Sequence, residues 1–148
     1  MTSFLGHNYI GSQRSANGSI TLQSVDATTG EALPQVFYQA TPQEVDAAAK
    51  AAAQAYPEYR ALSAARRAQF LDAIADELDA LGDEFVELVC RETALPAARI
   101  KGERGRTSGQ MRLFANVLRR GDFYGARIDK ALPDRQPLPR PDLRQYRI

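Results

Sequence analysis

The chain has 148 residues, of which 44% are apolar and 25% are charged, close to the averages of a globular domain. Its formal net charge of +1 gives no electrostatic reason to expect nucleic acid or membrane as a partner. We expect no transmembrane helix, because no run of about 18 apolar residues is present. The single cysteine excludes an intrachain disulfide, and with no visible secretory signal it indicates a reducing, cytoplasmic compartment.

Residues 1–40 are predicted to form strands and turns. Residues 19–25 alternate apolar and polar side chains, a pattern that is typical of a half-buried strand. A turn is predicted at residues 28–31. The strand expected after it, over residues 33–40, is limited by Pro34 to a sheet edge or to a late start.

A helical region is predicted for residues 41–121. Its first, alanine-rich helix begins with a capping box, in which Thr41 is the N-cap and Glu44 reaches back to it. Pro57 is predicted to end or bend this helix. Three more helices follow, and the residues that signal their starts and stops are Ser63, Gly82, Asp83, Pro96 and Gly121.

The fourth helix carries three glycines in its interior, where each costs about 1 kcal/mol relative to alanine. Gly102, Gly105 and Gly109 are spaced by three and four residues and so share one face. A face without side chains lets another backbone approach closely, so a specific neighbour is predicted. Four polar residues of this helix lie at spacings of three and four: Arg99, Glu103, Arg106 and Gln110. They form either a solvated face or a partly buried network, and the adjacent glycine face favours the network.

The tail, residues 122–148, differs from the helices. Residues 132–141 hold four of the 8 prolines and are predicted to run extended, because proline disfavours both helix and ladder pairing. Residues 142–148 alternate as a strand would. The predicted fold class is α+β: N-terminal strands, about four helices and an extended proline-rich arm.

Residues that could carry chemistry are few. Cys90 is the only thiol and is expected to be a small core residue, and His7 is expected to be a terminal loop residue. No glycine-rich phosphate loop and no marked pair of carboxylates is present. We therefore predict no catalytic, cofactor-binding or metal-binding residue. A loosely basic region lacks the interleaved aromatic residues of a nucleic-acid site; it comprises Arg112, Arg119, Arg120 and Arg127.

Several motifs together resemble one enzyme family. The moderately specific ones lie at residues 41–46, 59–63 and 66–71. The sharper ones are Glu92-Thr93-x-Leu95-Pro96-x-x-Arg99, Gly102-Glu103-x-x-Arg106-Thr107-x-Gly109-Gln110, Leu113-Phe114-Ala115, and the proline-rich residues 133–144. They resemble the N-terminal segment of NAD(P)-dependent aldehyde dehydrogenases, most of all the α-ketoglutarate semialdehyde (2,5-dioxovalerate) dehydrogenase branch.

The resemblance implies that the chain is the beginning of a longer α/β enzyme. Residues 41–121 would pack on its coenzyme-binding domain, and residues 122–148 would lead to strands that join subunits of a homo-oligomer. The full enzyme would oxidise a semialdehyde with NAD or NADP. Its catalytic cysteine, general-base glutamate and nucleotide contacts would lie beyond this chain.

From the resemblance we expect the chain alone to bind no cofactor and to be inactive, with the remainder of the polypeptide as its partner. Two alternatives stay open. The chain could be an independent helical interaction module, since its length suits one domain, or a non-catalytic subunit completed by another polypeptide.

Overall fold

Two antiparallel β-ribbons form the N-terminal part of the computed structural model, which describes residues 5–145. The strands of these ribbons pair in chain order: β1 (Asn8–Ile10) with β2 (Gln13–Ser15), and β3 (Thr21–Val25) with β4 (Ala32–Tyr38).

The β3–β4 ribbon confirms the strands predicted around residues 19–25 and 33–40 and the turn between them. Pro34 lies inside β4, at the shift of register between Gln23 and Val25. Because the ladder is irregular there, the N–H that proline lacks is not needed for pairing. Leu33 is the one large side chain of the described ribbons that is fully buried, so we expect it to anchor β4.

Helices occupy most of residues 42–120. Their bounds are α1 (Pro42–Ala61), α2 (Ala64–Ala80), α3 (Gly82–Thr93) and α4 (Ala97–Arg120). Three of the predicted caps are present: Thr41 accepts the N–H of Glu44, Ser63 accepts the N–H of Arg66, and Gly121 ends α4 with a φ of 70°. Within the described part of the chain, every helix is too short or too polar to cross a membrane.

One predicted helix cap is wrong, and one of two alternatives is settled. Pro57, which was predicted to end or bend the first helix, does not end α1, which continues to Ala61. The carbonyl that loses its donor to proline belongs to Ala53, which is exposed, so water can satisfy it. Asp83 does not cap α3 but lies in its first turn, where its carboxylate accepts from Lys101 at 3.0 Å. The start of α3 is set instead by Gly82, whose φ of 72° suits glycine.

The core lies where α2 packs along α4. Small buried side chains bring these helices close together: Ala68 and Ala75 on α2, and Ala115 on α4. Ion pairs flank the contact. Arg119 pairs with Asp72, and the guanidinium of Arg112 lies 2.7 Å from Asp76 and 2.9 Å from Asp79. Val86 of α3 and Ile100 of α4 extend the core.

The extended arm predicted for residues 132–141 is not confirmed, because this segment is the loop of a β-hairpin. β5 (Arg127–Asp129) pairs antiparallel with β6 (Leu143–Gln145). Leu132 and Arg140 exchange two backbone hydrogen bonds of 2.8 and 3.1 Å, which close the loop. Its prolines lie where no ladder donor is needed. β6 confirms part of the strand predicted for residues 142–148, of which residues 146–148 lie outside the described range.

Candidate functional site

The glycine face of α4 (Gly102, Gly105 and Gly109) is open. A Cβ atom built at any of the three positions would meet no atom within 4 Å outside the glycine's own helical surroundings. The glycines are inside α4, as predicted, but the described residues do not supply the close neighbour that they suggest. This face is therefore free to receive another backbone.

Beside the glycine face, Glu103 accepts from two arginines. Its carboxylate lies 2.8 Å from Arg99 and 2.7 Å from Arg106, and the two arginine side chains are 65% and 80% exposed. The partly buried network that we expected is wrong for this chain, because the open glycine face leaves these residues in water. The hydrogen bond and charge of Arg106, followed by those of Arg99, hold the pKa of Glu103 below its usual value.

A surface cleft of about 400 Å³ lies along this part of α4 and is lined by Arg106, Thr107, Gln110 and Met111. Arg106 uses Nε and Nη2 to bind Glu103, and Thr107 donates its hydroxyl to the carbonyl of Glu103 at 2.9 Å. Arg106 and Gln110 are four residues apart, and their grouping was predicted from the sequence. Thr107 and Met111 have the same spacing one residue further along, and they were not singled out from the sequence as site residues.

Two apolar grooves lie on the helices. One, of about 360 Å³, is on α2 and is lined by Phe70, Ala73, Ile74, Glu77, Leu78 and Leu81. The other, of about 410 Å³, lies between α2 and α4 and is lined by Leu71, Met111, Phe114, Val117, Leu118 and Phe123. Phe70 and Phe114 are more than half exposed. Apolar patches of this kind typically mark interaction surfaces.

The total accessible surface also indicates that parts of the helices are interaction surfaces. The chain exposes 11428 Å² of accessible surface at a mass of 16.3 kDa. A compact monomer of that mass exposes about 7,500 Å². The excess is on the order of 4,000 Å² on this chain alone, which is enough for one side of an obligate interface, since such interfaces bury about 2,000–5,000 Å² or more over both partners. The helices therefore present much more surface than they cover for one another.

The capping box at the start of α1 also joins this helix to the first ribbon. Glu44 is only 5% exposed. Its carboxylate accepts hydrogen bonds from the Ser15 hydroxyl, from the Thr41 N–H at 2.7 Å and from the Asn17 N–H at 3.3 Å. These hydrogen bonds, that of Ser15 first, lower the pKa of Glu44 from 4.5 to about 2. Glu44 thus holds the β2 end of the first ribbon against α1.

Glu44→Gln is expected to destabilise the chain in a pH-dependent way. Because folding lowers the pKa of Glu44, its stabilising effect is complete above pH 4.5 and is lost as the pH falls towards 2. The difference in melting temperature between the parent and Glu44→Gln should therefore narrow over that interval, as measured by circular dichroism. Glu58→Gln, an exposed position on the same helix, is the control. A difference that stays constant with pH would contradict the role given to the Glu44 carboxylate.

The other candidate residues lie apart from the α4 cleft. Cys90 is half-buried on α3, not in the core position that we expected. His7 packs edge-on against Tyr38, with ring centroids 5.8 Å apart. The basic region is largely neutralised, since Arg112, Arg119 and Arg120 each pair with aspartate. Across residues 5–145, no three His, Cys, Asp or Glu side chains converge as metal ligands.

Comparison with known proteins identifies the family to which this chain belongs. The sequence pattern of the aldehyde dehydrogenase family matches residues 14–138, and the chain belongs to this family. It is 52% identical over 143 residues to the alpha-ketoglutaric semialdehyde dehydrogenase of Acinetobacter baylyi. It is 48% identical over 144 residues to alpha-ketoglutaric semialdehyde dehydrogenase 2 of Azospirillum brasilense.

These similarities cover nearly all of the chain but a minor part of each relative. Both alignments include 97% of this chain and 27% of the relative, so the chain spans about a quarter of the length of these enzymes. The crystal structure of an NAD-dependent benzaldehyde dehydrogenase from Corynebacterium glutamicum superimposes with a TM-score of 0.72 at 23% identity. That superposition includes 89% of this chain and 28% of the other, and it shows that the fold is part of an aldehyde dehydrogenase fold.

Proposed function

We propose that this chain forms the N-terminal helical layer of an NAD(P)-dependent aldehyde dehydrogenase that oxidises α-ketoglutaric semialdehyde to the corresponding acid. The observation that carries the proposal is the identity of 52% and 48%, over 97% of the chain, with two enzymes of that name. Enzymes of the family use NAD or NADP. In this proposal the layer contributes no catalytic residue and no cofactor contact, and both are supplied by the remainder of the polypeptide.

The open surfaces of the helices support a role as a packing layer. A glycine face with no atom within reach of a Cβ, two apolar grooves and an excess surface on the order of 4,000 Å² all favour a large covering partner. In the proposal, residues 41–121 pack on the coenzyme-binding domain. Residues 122–148, with the β5–β6 hairpin, lead to strands that join subunits of a homo-oligomer.

The proposal predicts that the chain is inactive alone and active when completed. Purified chain mixed with α-ketoglutaric semialdehyde and NADP should give no reduced cofactor, because nucleophile and nucleotide site would both be missing. A chimera in which this chain replaces the matched 143-residue segment of the Acinetobacter enzyme should oxidise the semialdehyde. Absorbance of the reduced nicotinamide measures both.

A matched variant tests whether the glycine face is covered. The Gly105→Leu chimera should lose activity, because the added side chain would occupy the surface needed for close approach. Turnover by the isolated chain, or an inactive chimera with the parent sequence, would contradict the proposal. An isolated chain that melts cooperatively without aggregation, together with an inactive chimera, would instead favour an independent helical interaction module.

A further inference from the structure

We infer that Arg67 of α2 binds a carboxylate on the segment of the complete enzyme that fills the apolar groove between α2 and α4. The inference rests on the proposed function, in which the remainder of the polypeptide covers the helices. This chain covers 27% of each of its two relatives, so most of the enzyme remains to supply that segment. The partner is an amphipathic segment, with apolar side chains for the groove and one aspartate or glutamate for Arg67.

Arg67 is a partly buried cation that lacks a carboxylate partner among residues 5–145. Within that range its side chain makes one hydrogen bond, from Nη2 to the hydroxyl of Tyr124 at 2.7 Å. The Nε atom is buried, and its N–H finds no acceptor among the described residues. A buried donor without an acceptor and a buried charge without a counter-charge both lower stability. A carboxylate would supply the acceptor and the negative charge together.

Two carboxylates in the same elements are already bound to other arginines. Asp72, which follows Arg67 on α2, pairs with Arg119 of α4. Asp122, in the turn after α4, accepts from Nε and Nη2 of Arg120, the first at 2.7 Å. Each of these aspartates has its own guanidinium. The negative partner of Arg67 is therefore expected from outside the described part of the chain.

Arg67 lies at one end of the apolar groove of about 410 Å³ between α2 and α4. Leu71, one helical turn after Arg67, lines this groove. Phe123 lines it as well, and its ring lies against that of Tyr124, with centroids 4.2 Å apart. Tyr124 thus connects the guanidinium to the wall of the groove. A segment that fills the groove would bring its carboxylate to Arg67 and exclude water, which strengthens the contact between the two charges.

The shape of the guanidinium allows both contacts at once. Arginine presents five N–H donors in a planar fork, of which Tyr124 accepts one. The Nε–H and the remaining Nη hydrogens can bind a carboxylate through two parallel hydrogen bonds. Tyr124 therefore holds the fork in place for the incoming carboxylate.

The test uses the active chimera, which is heated at a fixed temperature while the loss of semialdehyde oxidation is followed. Arg67→Ala should inactivate roughly tenfold to a hundredfold faster than the parent chimera, the effect expected from losing hydrogen bonds to a charged group. Its KM and kcat before heating should match those of the parent, because Arg67 does not contact substrate in this inference. Guanidinium chloride, far below its denaturing range, should slow the inactivation of Arg67→Ala, whereas urea, which is planar but uncharged, should not.

Arg66→Ala is the matched control, since Arg66 is the neighbouring arginine and is exposed. It should inactivate within about twofold of the parent rate, as expected for a surface substitution. An active parent chimera in which Arg67→Ala inactivates no faster than Arg66→Ala overturns this inference alone. The same holds if guanidinium and urea change the inactivation of Arg67→Ala alike, because the effect would then be one of packing.

Arg67→Lys provides the test if Arg67→Ala gives no active chimera. It should inactivate roughly threefold to tenfold faster than the parent, because an ammonium group has no fork to hold Tyr124 and a carboxylate together. A rate equal to that of the parent would overturn the inference. A parent chimera that does not oxidise the semialdehyde overturns the proposed function and this inference with it.

Discussion

Gly18→Ala is expected to lower the free energy of unfolding by about 3 kcal/mol, the upper range for a forced clash in a packed structure. A Cβ atom at Gly18 would lie 1.8 Å from the carbonyl oxygen of Gln39, which is backbone and cannot rotate away. The segment between β2 and β3 would have to leave the end of β4. That movement would break the hydrogen bond from the Gln39 N–H to the carbonyl of Ile20, now 2.9 Å long.

Urea denaturation of the chain, followed by circular dichroism, measures this effect. Gly109→Ala is the matched control, because a Cβ there meets nothing within 4 Å and alanine favours a helix interior. It should raise the free energy of unfolding by about 1 kcal/mol. If Gly18→Ala proved as stable as the parent, the close contact between Gly18 and Gln39 would be disproved.

Leu33→Ala is expected to cost a similar amount, about 3 kcal/mol, through loss of buried contacts and the cavity left behind. Leu33 is 0% exposed, although it belongs to a two-stranded ribbon whose other large apolar side chains are partly exposed. Its removal should free the β3–β4 ribbon from the helices. Amide hydrogen exchange in β3 and β4 should then become faster, whereas exchange in the α2–α4 contact should change less.

Leu22→Ala on the neighbouring strand serves as the comparison for Leu33→Ala. Leu22 is 59% exposed, so its truncation should change the free energy of unfolding by no more than about 0.5 kcal/mol. Equal losses for the two variants would show that Leu33 does not anchor the ribbon.

Features that depend on neighbouring residues in sequence could be predicted. The caps Thr41 and Ser63 and the C-terminal glycine Gly121 each act within one helical turn, so the sequence around them contains the whole cause. The failures involve distant residues. The hairpin that replaces the predicted extended arm requires β5 to meet β6, and local proline chemistry does not encode that pairing.

At the candidate site, too, local features could be predicted and features that depend on distant residues could not. Helical spacing correctly grouped Arg99, Glu103 and Arg106, because residues three and four apart are neighbours on any α-helix. Their burial could not be predicted, since it depends on whatever covers the glycine face. The motifs between Glu92 and Gln110 indicated the family, which the match over residues 14–138 establishes.

The long first helix, α1, connects two distant parts of the chain. α1 has 20 residues, so at about 1.5 Å per residue it is a rod roughly 30 Å long. Near its start, Glu44 is bound to Ser15 of β2; near its end, Tyr59 packs edge-on against Phe70 of α2 at 5.9 Å. α1 therefore separates the first ribbon from the apolar groove that contains Phe70 by most of the length of the helix.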